Sequence, residues 1–254
     1  MNKFKLGIQL YTVRDELEKD FSGTLRFLVE QGAQGVEFAF YYGNYEPNVL
    51  AEVLSNYGLE TYGIYEALDN IADANSKVYD YAKALNCNYL TCGIPKDVLQ
   101  NNFHECLDKL KKANQTAQSK GLSLCYHAHA YEFDMYDSRS YLETILSETD
   151  LLFEADTAWI YAGGENVREY LEKHQNRISL IHIKDITKDI DYTELGNGVV
   201  NFNEVIDFAR NSQVEWLAYE QDSSKIGELE STKISFEFIK NLLTQKRRQL
   251  SRNQ

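Results

Sequence analysis

The chain has 254 residues, 43% hydrophobic, 13% aromatic and 26% charged, which excludes a disordered or fibrous protein. No stretch approaches the roughly 20 apolar residues of a bilayer crossing, and a formal net charge of −13 opposes a polyanionic partner at long range, so neither membrane nor nucleic acid is expected as a partner. Met1-Asn2-Lys3-Phe4-Lys5 lacks the apolar run of a secretory signal, and Cys87, Cys92, Cys106 and Cys125 form no Cys-x-x-Cys pair; the expected location is cytoplasmic, with free thiols.

In chain order, strands are expected at about 5–11, 35–40, 59–65, 88–93, 122–128, 151–156, 178–185 and 215–221, with amphipathic helices between most of them. Phe21 to Glu30 is such a helix: Leu25, Leu28 and Val29 form its stripe, and Gly32 follows its end. The same grammar of helix, glycine, strand recurs at Val49-Leu50-Val53-Leu54 before Gly58, and at Leu107-Leu110-Ala113 to Ala117 before Gly121. Only Pro47 and Pro95 interrupt it, no linker appears, and one domain over 1–254 is expected. The basic stretch Lys246-Arg247-Arg248 reads as a solvated helix end.

Alternating strands and helices imply a parallel sheet. Eight strands in about 250 residues favour a closed (β/α)₈ TIM barrel. A doubly wound dinucleotide-binding sheet would want a Gly-x-Gly-x-x-Gly turn, and Gly7 and Gly43 do not make one.

Active sites of such barrels are built at the C-terminal ends of the strands. Strands five to eight end in His127, Asp156, His182 and Glu220, so four groups able to bind a metal fall in register. Two imidazoles and two carboxylates suit one divalent ion such as Mn²⁺, Zn²⁺ or Co²⁺ better than Mg²⁺ or Ca²⁺. An ion gripping a carbonyl oxygen and the adjacent hydroxyl makes the intervening C–H acidic, since it stabilises the enediolate. Glu220 is the expected base, with His127 or His129 as the partner acid. Lys184 shares the side of its strand with His182, and is expected to bind a substrate oxygen, to protonate a leaving hydroxyl, or to balance Asp156 and Glu37. Glu37 is expected at the rim, orienting a substrate hydroxyl or forming an ion pair, while the indole of Trp159 suits the apolar face of a sugar. Glu154, two residues before Asp156, points into the barrel. The glycines of Glu194 to Phe202 allow a mobile turn over the site.

Gly7-Ile8-Gln9-Leu10-Tyr11-Thr12-Val13-Arg14-Asp15, Gly35-Val36-Glu37-Phe38, Tyr126-His127-Ala128-His129-Ala130-Tyr131-Glu132-Phe133, Asp156-Thr157-Ala158-Trp159, His182-Ile183-Lys184-Asp185 and Tyr219-Glu220-Gln221-Asp222 together resemble the xylose isomerase-like TIM barrels of the sugar phosphate isomerase/epimerase class. The resemblance implies one metal held by an acid on strand five and by Asp, His and Glu on strands six to eight, matched here by Asp156, His182 and Glu220. His127 stands where the epimerases carry a second metal-bound Glu, which weakens symmetrical two-carboxylate epimerisation.

The resemblance therefore implies a metal-dependent isomerase or epimerase of a sugar, sugar phosphate or cyclitol, or its close variant, a lyase that dehydrates a keto-sugar or keto-cyclitol. Two other classes compete. Abasic-site endonucleases with three zinc ions share the barrel but need further His and Asp ligands, where this chain offers Asp189 and Asp191 without His, and Trp159 in place of a second His. A non-catalytic carbohydrate-binding barrel would show no functional metal. Barrels of this kind often form homo-oligomers, and nothing in the sequence marks an interface.

Overall fold

The computed structural model describes residues 4–252, with side chains described as far as Lys246. Eight parallel strands close into a barrel: β1 (Lys5–Gln9), β2 (Gly35–Ala39), β3 (Glu60–Tyr65), β4 (Tyr89–Cys92), β5 (Ser123–His127), β6 (Leu152–Asp156), β7 (Leu180–Ile183) and β8 (Trp216–Tyr219), each beside its sequence neighbours, with β8 returning to β1. All eight expected strands are present, a residue or two shorter at some ends.

The helices lie outside, and their ends follow the local signals. Phe21–Gln31 stops at Gly32, whose φ of 101° is a left-handed cap that a side chain would strain. Pro47–Tyr57 begins on proline, buries Leu50 and Leu54, and ends at Gly58 in the same conformation. The last helix, Glu228–Arg252, docks by Lys246, which is buried, 2.5 Å from Asp207, and donates to the carbonyl of Asn203. That lysine is not the solvated group the sequence suggested; the side chains of Arg247 and Arg248 lie outside the described residues. Among the described residues no helix is long and apolar enough to cross a membrane.

Two layers of side chains fill the barrel below the site. The floor is apolar: Tyr62, Tyr89, Cys125, Leu180, Trp216 and Ala218 pack together, with Tyr62 stacked on Trp216 at 4.8 Å between ring centres. Above it the interior turns polar, with Glu37, Glu154 and His182 fully buried. Gly63 on β3 makes room there, because a Cβ would sit 3.1 Å from the Glu37 side chain. Register places His127 beside Glu154, and Asp156 beside His182, so the polar residues of β5 to β7 climb toward the C-terminal rim as a staircase.

Candidate metal centre and active site

His127, Asp156, His182 and Glu220 each bring one ligand atom to a common point, all within 4.8 Å of one another, and all four are buried. Local structure fixes each. Asp156 ends β6 and caps the helix Thr157–Ala162, its Oδ1 accepting the backbone N–H of Ala158 and Trp159 at 2.9 and 3.0 Å. Its Oδ2 faces the Lys184 ammonium at 3.2 Å, and His127 Nδ1 lies 3.3 Å from Glu154 Oε2.

His182 is held from two sides. Its Nδ1 lies 2.9 Å from Glu220 Oε2, and its Nε2 lies 2.8 Å from Glu37 Oε2 and 3.4 Å from Glu154 Oε1. The deeper Glu37, Glu154 and His182 also bring ligand atoms within 4.8 Å of one another. The ring thus has one nitrogen facing the strand-end cluster and one facing the carboxylates beneath.

Lys184 completes the site. Its ammonium is fully buried, 3.2 Å from Asp156 Oδ2, 2.8 Å from Glu220 Oε2 and 2.8 Å from Asp222 Oδ2, and lies 4.9 Å above the Trp159 ring. Burial alone would lower this amine, but the three carboxylates hold it well above its usual value. The converse holds for Glu220: burial pushes it up, yet Lys184 and His182 hold it well below the usual carboxylate range. Burial disfavours charge on His182 as well, and Glu154 and Glu220 outweigh it, raising the imidazole well above its usual value. For Glu37, burial and the neighbouring Glu154 raise the carboxyl to about 7.

The rim opens into a cavity of about 230 Å³ lined by His127, His129, Glu220 and Asp222, with Gln9, Tyr11, Phe40 and Tyr65 around them. Glu220 and His127 therefore reach the space a substrate would enter. His129 does as well, its Nδ1 3.2 Å from the Tyr131 hydroxyl. Glu37, expected at the rim, lies below His182 and does not line this cavity, because it sits two residues before the end of β2, where Ala39 reaches the rim; its ion pair is with the imidazole. Lys184 balances Asp156, Glu220 and Asp222 rather than Glu37. Trp159 turns its face to the ammonium and does not line the cavity.

The loop after β7 is tied to Asp185 by its backbone. Asp185 accepts backbone N–H bonds from Gly196, Gly198 and Val200 at 2.9, 3.0 and 3.1 Å, as well as from Ile186. A Cβ on Gly198 would meet Asp185 Oδ1 at 2.3 Å. Sequence reasoning assigned no role to Asp185 or Asp222. Asp222 has the side-chain parity of Glu220, a signal that was available; the loop that bonds Asp185 closes 11 to 15 residues on and gives no local pattern.

Comparison with known proteins adds a decisive match: the xylose isomerase-like TIM barrel family covers residues 25–242. The chain belongs to this family. This xylose isomerase-like chain is 27% identical over 167 residues to an inosose dehydratase of Bacillus thuringiensis, an overlap of 56% of the chain and 55% of the relative. It thus spans about half the length of the curated relatives it matches. A sugar phosphate isomerase/epimerase from Parabacteroides distasonis superposes with a TM-score of 0.75 at 19% identity, covering 94% of both chains. The IOLI protein with a bound zinc atom superposes with a TM-score of 0.73 at 14% identity, covering 95% of this chain and 99% of that one. At these identities the two structures show a shared barrel.

Proposed function

We propose that this chain is a divalent-metal-dependent isomerase or epimerase of a sugar, sugar phosphate or cyclitol, which removes a proton beside a carbonyl and returns it through an enediolate. The observation that carries this reading is the meeting of two imidazoles and two carboxylates within 4.8 Å, two of them opening into one cavity. The donor set, two buried imidazoles and two buried carboxylates, fits Mn²⁺, Zn²⁺ or Co²⁺. His127, Asp156, His182 and Glu220 would hold it, His182 through Nδ1, leaving Nε2–H to donate to Glu37 and fix the tautomer. When bound, such an ion supplies charge that stabilises the enediolate as it forms.

Glu220 is the base: Lys184 and His182 keep its carboxylate ionised, the form that accepts a proton. His129, which lines the same cavity and is not among the proposed ligands, is the acid that returns it. Lys184 orients Glu220 and Asp156.

A second reading, dehydration, is favoured by one observation. β5 ends in His127 where a second carboxylate would make the pair symmetrical, and a ring N–H of His129 across the cavity from Glu220 suits protonation of a departing hydroxyl. The names of the inosose dehydratase relatives support the same alternative. Incubating the Mn²⁺-loaded protein in D₂O with keto-sugars and with 2-keto-myo-inositol separates the two. Deuterium at the carbon beside the carbonyl without loss of water supports isomerisation, an ultraviolet-absorbing enone supports dehydration, and neither in any substrate refutes both.

A further inference from the structure

The cavity at the metal centre does not end there. A second cavity, of about 670 Å³, opens beside it over the ends of β3 and β4, and Phe40, Tyr65 and His129 line both. The first, at about 230 Å³, is smaller than the roughly 300–1,000 Å³ that drug-sized ligands occupy, and matches one ring. The second is nearly three times larger, and its walls include Ala67, Leu68, Ile94, Val98 and Tyr131.

Phe40 marks the junction. It is 55% exposed, packs edge-on against Tyr65 at 5.4 Å, and has a left-handed backbone with φ of 61°, strained for a bulky side chain. A large aromatic held exposed and strained at the join of two cavities is placed to be covered by a ring.

Charge narrows what that ring carries. Lysine and arginine are absent from the lining of the first cavity among the described residues, while Glu220 and Asp222 are present. In the second, Lys109 is ion-paired with Asp69, and Glu66 and Glu105 add negative charge. A phosphate would meet carboxylates in both.

We infer that the substrate is an uncharged glycoside of at least two rings: the reacting sugar or cyclitol ring sits at the metal centre, and a second uncharged ring, sugar or aryl, lies in the neighbouring cavity against Phe40 and Tyr65. This rests on the proposed function for the first ring only. Stacking on an aromatic face adds to the area the second ring buries, and together they give roughly tenfold tighter binding, about 1.4 kcal/mol.

Titration calorimetry on the full chain, with and without Mn²⁺, tests it using 4-nitrophenyl β-D-glucopyranoside, cellobiose, glucose and glucose 6-phosphate. At least one two-ring probe binds roughly tenfold more tightly than glucose, and the phosphate binds more weakly than glucose. Tighter binding of the nitrophenyl probe identifies an aryl ring, and of cellobiose a sugar. Val98→Trp, on an exposed position that lines only the second cavity, removes the two-ring advantage and leaves glucose affinity unchanged. Equal affinity for one and two rings, binding of neither two-ring probe, tighter binding of the phosphate, or an advantage that survives Val98→Trp overturns the inference. Failure to bind Mn²⁺ refutes the proposed function instead, and the ratio of affinities still reports on the second cavity.

Discussion

Replacing Lys184 with methionine removes one charge from the centre of the site while keeping most of the side chain's bulk. The ammonium lies between 2.8 and 3.2 Å from Asp156, Glu220 and Asp222, and it is fully buried. Breaking a buried ion pair from one side leaves uncompensated charge, at a cost of about 3–5 kcal/mol. For a chain of this size each kcal/mol shifts the melting temperature by roughly 2–4 °C, so the metal-free K184M protein is expected to melt roughly 6–20 °C below the metal-free wild type. Asp156 and Glu220 are also proposed metal ligands, so a divalent ion supplies them with the charge the variant lacks. The deficit is then at least halved in saturating Mn²⁺, and K184M binds the ion more tightly than the wild type. Thermal denaturation monitored by circular dichroism, with and without the ion, reads both quantities. A loss that is equal in the two conditions would refute the reasoning, as would a metal-free variant that melts with the wild type.

Glu220→Gln keeps the shape of the base and removes its proton-accepting form; exchange of the substrate proton in D₂O is expected to fall by about 10²–10⁴-fold, read by NMR. Asp185→Asn replaces one acceptor oxygen by an NH₂ donor that faces N–H groups of its own loop, and is expected to cost about 2–3 kcal/mol in urea denaturation and to raise amide exchange at Gly196 and Gly198. Glu143 lies 2.6 Å from Lys173 and 3.0 Å from His174 Nε2. Burial would raise its carboxyl, but Lys173 and His174 lower it below its usual 4.5 in the folded chain. Its contribution to stability is therefore present above pH 4.5 and lost as pH falls through the lowered value. Glu143→Gln is expected to destabilise at pH 7, with the gap to wild type narrowing as the pH falls below 4.5; a gap that does not narrow on acidification contradicts this.

Periodicity carried the barrel. Each helix-glycine-strand unit sets its own boundaries locally, as at Gly32 and Gly58, so all eight strands could be read one at a time. The strand-end ligands were legible for a related reason: a closed parallel barrel brings all C-terminal ends to one rim, and parity then points alternate residues inward. What parity does not encode is height. Glu37 faces inward as expected, but it stands two residues before the end of β2, one layer below Ala39, which puts it beneath His182 and out of the cavity. Trp159 and Lys184 were placed on the right side of the barrel, and their contact with each other depends on a helix whose start is fixed by Asp156. The second cavity lies between loops after different strands, and no local signal announces it.

The central claim is that four strand ends hold one divalent ion. Equilibrium titration of the metal-free protein with Mn²⁺, alongside Asp156→Ala and Glu220→Ala, tests it directly. One ion per wild-type chain, with affinity reduced by at least a hundredfold in each variant, is the predicted result. Absence of a stoichiometric site in the wild type, or binding that both variants retain, would contradict it.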